Sequence, residues 1–385
     1  MKMDSYPYIQ DNISLNNEFQ DYWTEIMNLH SKKLWHQLTL CIEKLVNIEK
    51  FRLTVDLKKL YDQLISSFEN KMNSLALARI SILISYQILE KEGPNVSIEF
   101  LNKVISKLSG INAKESTVLL LTEIGLVNLN SLKDLPASRE IIEKAEVLLN
   151  ELDGVSSAHA PFYKLSSTYF AAIADYSSFY RESLKYLGCL NDEQMKVIPE
   201  EEKEMWAVKL CISALLGRNI YNFGELLMHD IVNKIGEQNR YLLELVRGFN
   251  EGSLEKVDKL HPKLMEQSDL AKDETFLREK ITLMCLVETI FQRPVNKRTI
   301  SFPEISQVTR VPIDQVELII MKAMSKELIK GGIDEVNEKL MVKWVQPRVL
   351  NMNQIETMQK NIKTWTNSVS EMGDLINTNA KEILS

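Results

Sequence analysis

Apolar residues recur along this chain at spacings of three and four from about Glu18 to Phe291, the period of helices that bury one face. The stretch Met72–Glu90 carries Leu75, Ile80, Ile84 and Ile88 and stops before Gly93–Pro94, where glycine can end a helix and proline cannot continue one. The same period predicts helices over Val96–Leu108, Ser116–Leu129, Ala137–Leu149, Ala158–Leu187, Met205–Leu216, Phe223–Ile235, Tyr241–Phe249 and Ser253–Met265. Short breaks between them make consecutive helices antiparallel neighbours. Matching positions return at roughly 35 to 45 residues, the range of stacked helical hairpins, although the units share little identity. We therefore expect a degenerate α-solenoid over residues 21–280, after a poorly ordered or divergent opening of residues 1–20. A single irregular helical domain is the alternative.

After Arg293–Pro294 the rhythm changes. A short β-like piece is followed by a short helix, for which Ser301 and Glu304 have the spacing of a capping box. A longer helix runs from Pro312 to Leu328, with Val316, Ile319, Ile320, Ala323 and Met324 on its buried face. Then Leu340, Val342 and Trp344 alternate with Met341, Lys343 and Val345, as a strand over a core does. Gly331–Gly332 in the partner strand points to a bulge or a close backbone approach. With Ile281–Phe291 as a first helix, residues 281–350 read as a winged helix.

The last segment, residues 351–385, is one helix with a heptad seam. Ile355, Met358, Ile362, Trp365, Val369, Met372, Ile376 and Ile383 alternate spacings of three and four, and Asn379 takes the one polar seam position. The helix is about 45 Å long at 1.5 Å per residue. Such a seam is satisfied by a helical bundle, shared with other chains or closed on the chain's own solenoid. We take these eight apolar residues as candidate partner contacts. The expected fold class is thus mostly α: an α-solenoid of helical hairpins, a winged helix and a C-terminal bundle helix.

Winged helices often read DNA, so the outward stripe of the Pro312–Leu328 helix is informative. It holds Asp314, Leu318, Met321 and Ser325, where base recognition wants Arg, Lys, Asn or Gln. The wing tip carries Asp334, Glu335 and Glu338 against Lys339, and acidic and basic residues nearly balance across Arg298–Arg348. No nucleic-acid partner is expected. Leu318 and Met321 on the helix, with Leu340, Val342 and Trp344 on the sheet, are the candidate contacts for a protein neighbour. The alternative is that Leu318 and Met321 pack on the preceding solenoid.

Composition narrows the field further. A net charge of −7 over 385 residues disfavours a general attraction to phosphate. No apolar run approaches the roughly 20 residues that span a bilayer, and the opening residues lack the apolar core of a secretory signal. Cys41, Cys189, Cys211 and Cys285 lie far apart, which suits buried thiols in a reducing compartment better than disulfides or a zinc knuckle. An intracellular, soluble chain without membrane partners is expected. Nucleotide-loop, hydrolase and zinc-protease motifs are missing, and the histidines are scattered. His30 and His36 stand six apart and share no close face, and Pro199–Glu204 reads as a solvated acidic run. No catalytic residue, cofactor or metal is expected.

In order, solenoid, winged helix and terminal helix resemble the PCI-domain family, scaffold subunits of the proteasome lid, the COP9 signalosome and a translation initiation factor. Four blocks resemble the proteasome-lid branch: KKLWHQLTL (Lys32–Leu40), FGELLMH (Phe223–His229), RPVNKRTISFPEIS (Arg293–Ser306) and Gly331–Leu350. The resemblance runs from about Tyr22 onward and is weakest in the opening residues, around Asn47–Leu57, and in the acidic stretch Asn191–Glu204. It implies a non-catalytic cytoplasmic and nuclear scaffold supporting ATP-dependent degradation of ubiquitinated proteins. The winged helix would pack beside a neighbouring PCI subunit and the terminal helix would enter a shared helical bundle. The solenoid would lie near the ubiquitin receptor and the deubiquitinase module. The signalosome and the initiation factor are the alternative homes of this architecture, and a nucleic-acid-binding winged helix is a more distant one.

Overall fold

Gly93 shows how the chain passes from one helix to the next. It ends the Ser74–Lys91 helix with φ of +100°, and Pro94 opens the following helix, Pro94–Ile105, where its missing N–H costs nothing. The computed structural model describes residues 5–15, 17–108, 113–293, 298–349 and 352–384. Their contacts divide the chain into two compact units, residues 1–197 and 198–385.

The first unit is helical throughout its described residues. Its opening differs from expectation: Ser5–Leu15 form a helix that buries Ile9, and Tyr8 meets Trp23 edge-on at 5.9 Å. Gln87 ties two helical turns to the Ser74–Lys91 helix. Its Nε2 donates to the carbonyls of Arg52 (2.7 Å) and Val55 (2.9 Å), and its Oε1 accepts from the Leu57 N–H at 2.8 Å. Close helix packing centres on Gly125, where a Cβ would come within 2.6 Å of Leu165. The expected single helix Ala158–Leu187 is two, His159–Ala172 and Tyr176–Cys189. Ala174 adopts a left-handed φ of 56°, and the Asp175 carboxylate accepts from the N–H groups of Ser177 and Ser178, so an N-cap overrides the continuous apolar period.

The second unit begins with the Glu200–Leu216 helix, which places Glu200, Glu201 and Glu202 in its first turn. The acidic run is therefore matched to the positive end of a helix dipole. At its other end the helix is closed by a lysine. Lys280, on the Glu274–Phe291 helix, is 0% exposed, and its ammonium donates to the carbonyls of Ala214 (2.7 Å), Leu215 (2.9 Å) and Gly217 (2.8 Å). Three donors meet three carbonyls at the helix end, of which, among the described residues, only that of Gly217 has a second donor, the Ile220 N–H at 3.3 Å, and the rings of Tyr221, Phe223 and Phe276 surround the cation at 5.2–5.7 Å. Burial pushes the Lys280 ammonium well below its usual value. The full set of acceptors, which only the charged form can satisfy, opposes that push.

The winged helix follows: β1 (Thr299–Ser301), helices Phe302–Thr309 and Ile313–Ser325, β2 (Ile329–Asp334) and β3 (Lys339–Val345), in the sheet order β1-β3-β2. Ser301 sits at the N-cap, yet its hydroxyl makes no capping bond, and Glu304 pairs with Arg293 instead. The expected capping box is replaced by an ion pair to a residue just past the end of the Glu274–Phe291 helix. Val316, Ile320 and Ala323 are buried, with Ile319 and Met324 half-buried beside them. Below the sheet, Arg348 forms a buried ion pair with Glu288, and its Nη2 lies 3.6 Å from Met284 Sδ. The terminal helix, Met352–Leu384, then extends over 33 residues, or about 50 Å.

Candidate functional site

Two surfaces stand out, one on the winged helix and one on the terminal helix. On the Ile313–Ser325 helix, Leu318 and Met321 are 54% and 53% exposed, flanked by exposed Asp314 and Ser325. They do not pack on the preceding helices. A face of two apolar residues and an acid cannot read base edges.

The sheet needs a correction. Leu340 is 0% exposed and Val342 is also buried, so both belong to the core of the winged helix and are withdrawn from the contact surface. Trp344 is half-exposed, and the neighbouring outward side chain is Met341. The physical reason is a bulge. Lys330 pairs with Trp344 and Gly331 with Val342, so Lys343 is the extra residue of β3, and every side chain beyond it changes face. Val345 is accordingly buried where alternation would put Trp344, and the Lys330 ammonium lies 5.1 Å from the Trp344 ring centre. Gly331 is required at this crossing, since a Cβ there would lie 2.1 Å from the Met341 carbonyl oxygen. At the wing tip, Asp334 accepts from the N–H of Asn337 (3.1 Å) and from its Nδ2 (2.8 Å), and these bonds hold its carboxyl below the usual range. The tip is a fixed acidic turn.

On the terminal helix the seam is open. Ile355, Met358, Ile362, Trp365, Val369, Met372 and Ile376 are all exposed, with Trp365 at 71%. The Ile383 side chain lies outside the described residues. Within the second unit the described seam is not folded back onto the other helices. Heptad bookkeeping adds what the periodicity missed. From Gln359 to Leu375 the positions flanking the seam, Gln359, Asn361, Thr366, Ser368, Gly373 and Leu375, carry no charge, and Glu382 beside Ile383 is the first that does. Glu356, Lys360, Lys363, Glu371 and Asp374 fall on the far side. Two-stranded coiled coils commonly place charges beside the seam. Uncharged flanks widen the dry face, which suits a helix enclosed by more than one neighbour.

The rest of the surface offers little chemistry. An open cleft of about 210 Å³ is lined by Phe249, Val257, Leu277 and Ile281. Its charged rim is paired within the chain: Glu274 Oε1 lies 2.9 Å from both His261 Nε2 and Arg278 Nε, and Arg310 Nη1 lies 3.1 Å from Asp258. Among the described residues no group of three His, Cys, Asp or Glu is placed to hold a metal ion, and no helix is long and apolar enough to cross a membrane. Burial pushes the Cys41 thiol up to about 11 and that of Cys211 up to about 12, which keeps both protonated at neutral pH.

Residues 22–246 match the family described as PSD13 N-terminal repeats, and residues 257–344 match the PCI domain. The chain is 34% identical to the 26S proteasome non-ATPase regulatory subunit 13 homolog B of Arabidopsis thaliana, over 95% of this chain and 96% of that one. It is 33% identical to the 26S proteasome regulatory subunit RPN9 of Saccharomyces cerevisiae, over 92% and 91% of the two chains. Similarity to eukaryotic translation initiation factor 3 subunit M of Coccidioides immitis is lower, 22% over 48% of this chain and 39% of that one.

Proposed function

The chain belongs to the family of 26S proteasome non-ATPase regulatory subunit 13, and on that footing we propose that it is a non-catalytic scaffold subunit of the proteasome regulatory-particle lid. The observation that carries this reading is the apolar seam of the Met352–Leu384 helix, exposed along its described length. The terminal helix joins a helical bundle built with other lid subunits. Leu318 and Met321 on the helix, and Met341 and Trp344 on the sheet, are exposed apolar residues through which the winged helix meets neighbouring PCI subunits. The helical repeats, which we bound near residue 280, lie near the ubiquitin receptor and the deubiquitinase module. The assembled chain works in the cytoplasm and nucleus and supports ATP-dependent degradation of ubiquitinated proteins.

The test is affinity purification of the tagged chain from its own cells, with mass spectrometry and an ATP-dependent peptidase assay on the eluate. Recovery of lid, base and core subunits with that activity is expected. Recovery of signalosome or initiation-factor subunits would move the same architecture to another complex. Recovery of nucleic acid without a large complex would overturn the reading of the wing.

A further inference from the structure

We propose that one stripe of the Glu274–Phe291 helix, Lys280, Met284 and Glu288, is a seat that fixes the take-off of the terminal helix before any partner is met. The three residues are spaced by four, so they lie one above another on a single helix face, and all three are buried. The stripe holds two segments that are remote in sequence. Its upper end, Lys280, binds the carbonyls of Ala214, Leu215 and Gly217 and the rings of Tyr221 and Phe223. Its lower end, Met284 and Glu288, holds Arg348. Gln292 Nε2 also donates to Glu288 Oε1 at 3.2 Å, so both carboxylate oxygens are occupied and the Arg348 side has a fixed geometry.

The two held segments touch each other. Gly224, one residue beyond Phe223, lies so close to Val349 that a Cβ on it would meet Val349 Cβ at 2.4 Å. Val349 is thus gripped between a glycine positioned by Lys280 and its neighbour Arg348 positioned by Glu288. Only residues 350 and 351 separate Val349 from the first residue of the terminal helix. A link that short spans at most about 11 Å, so a fixed Val349 confines the start of the helix to within that reach of one point. The seat lowers the ordering entropy lost when the seam docks, because the root is already placed. Lys280, Gly224, Glu288 and Arg348 are positioning residues for assembly.

This inference rests on the terminal helix being the assembly element, and the experiment keeps the two ideas apart. The full-length chain carries Cys189→Ser to remove the half-buried native thiol, and nitroxide labels on Lys259→Cys and Lys363→Cys, both exposed and away from seam and seat. Electron-electron double resonance then reads the label separation in the free chain. Gly224→Ala is a wedge at a position without positive φ, and Glu288→Gln with Arg348→Gln removes the buried charges together, leaving neither one uncompensated. The expected result is one narrow distance peak in the parent, and a broadened or displaced peak in both variants at unchanged far-ultraviolet dichroism. Under competition with the parent in cells, both variants lose incorporation. Trp365→Ala also loses incorporation but keeps the parent's distance peak. A parent distribution already as broad as the variants', or variants with the parent's peak, overturns the seat. A moved peak with undiminished incorporation of Trp365→Ala would leave the seat standing and sink the assembly reading.

Discussion

Replacing Trp365 by alanine separates folding from assembly. The indole sits on the seam and is 71% exposed in the free chain, so it contributes little to the stability of its own unit. With about 250 Å² of side-chain surface, that exposure leaves roughly 180 Å² to be buried by partners; at ~25 cal/mol per Å² the loss is at most about 4.5 kcal/mol. The bound agrees with the ~3–5 kcal/mol typical of truncating an enclosed aromatic ring. A loss of that size lowers the chain's share of a limited assembly site by up to roughly a thousandfold. The assay is co-expression of differently tagged parent and variant, with quantitative mass spectrometry of the assembled complex against the free pool. Thermal unfolding of the isolated chain is the control, and a surface substitution there should change stability by no more than about 0.5 kcal/mol. Equal incorporation of variant and parent refutes the seam as an assembly element. A lowered melting temperature instead shows that the ring packs within the free chain.

Three further expectations concern other parts of the molecule. Lys280→Met keeps the volume but strips the buried Ala214 and Leu215 carbonyls of their donor, at about 1–3 kcal/mol each, and leaves Gly217 only the Ile220 N–H, so urea unfolding should show a loss of at least about 2 kcal/mol; a wild-type midpoint would refute the clamp. Glu123 is buried in the Ala113–Val127 helix, and desolvation raises its carboxyl despite the Tyr86 hydroxyl at 3.1 Å and the charge of Lys164. Its folded value thus lies above the unfolded one, and its contribution weakens the fold as pH rises through the folded value. Glu123→Gln should therefore melt higher than the parent at pH 7, with the gap closing toward and below the unfolded value of 4.5; equal gaps at both ends would contradict this. Substituting Leu318 and Met321 together by lysine should leave thermal stability within about 0.5 kcal/mol and reduce co-purification of the neighbouring subunit, whereas a large fall in melting temperature would show that they pack internally.

The elements that could be read from the sequence are those held by local rules. Helix period, the Gly93–Pro94 stop and the heptad seam each depend on residues within a turn or two of one another, and each appears in the structure. Where a long-range partner decides, local rules fall short. Ser301 and Glu304 have the spacing of a capping box, but Arg293 competes for the carboxylate and wins because it is a charge. Strict alternation put Trp344 with Leu340 and Val342; the extra residue Lys343 turned it outward, whereas Met341, before the bulge, faces outward by alternation itself. The glycine pair across from it was the available signal, although it did not say which strand carries the extra residue. Lys280 gave no warning, since a lysine in a helix normally faces solvent and its three acceptors come from the end of a helix far back in the chain.

The open seam also bears on how long an unassembled copy survives. Apolar side chains from Ile355 to Ile376, along about 32 Å of helix, make an exposed stripe that enclosure by partners would remove. A molecule synthesised beyond the supply of its neighbours keeps that stripe uncovered for its whole lifetime, as a standing target for chaperones and proteases. Under the proposed role of the seam, abundance of the free form is governed by the scarcest partner rather than by its own rate of synthesis, and the same stripe would set the stoichiometry of the complex.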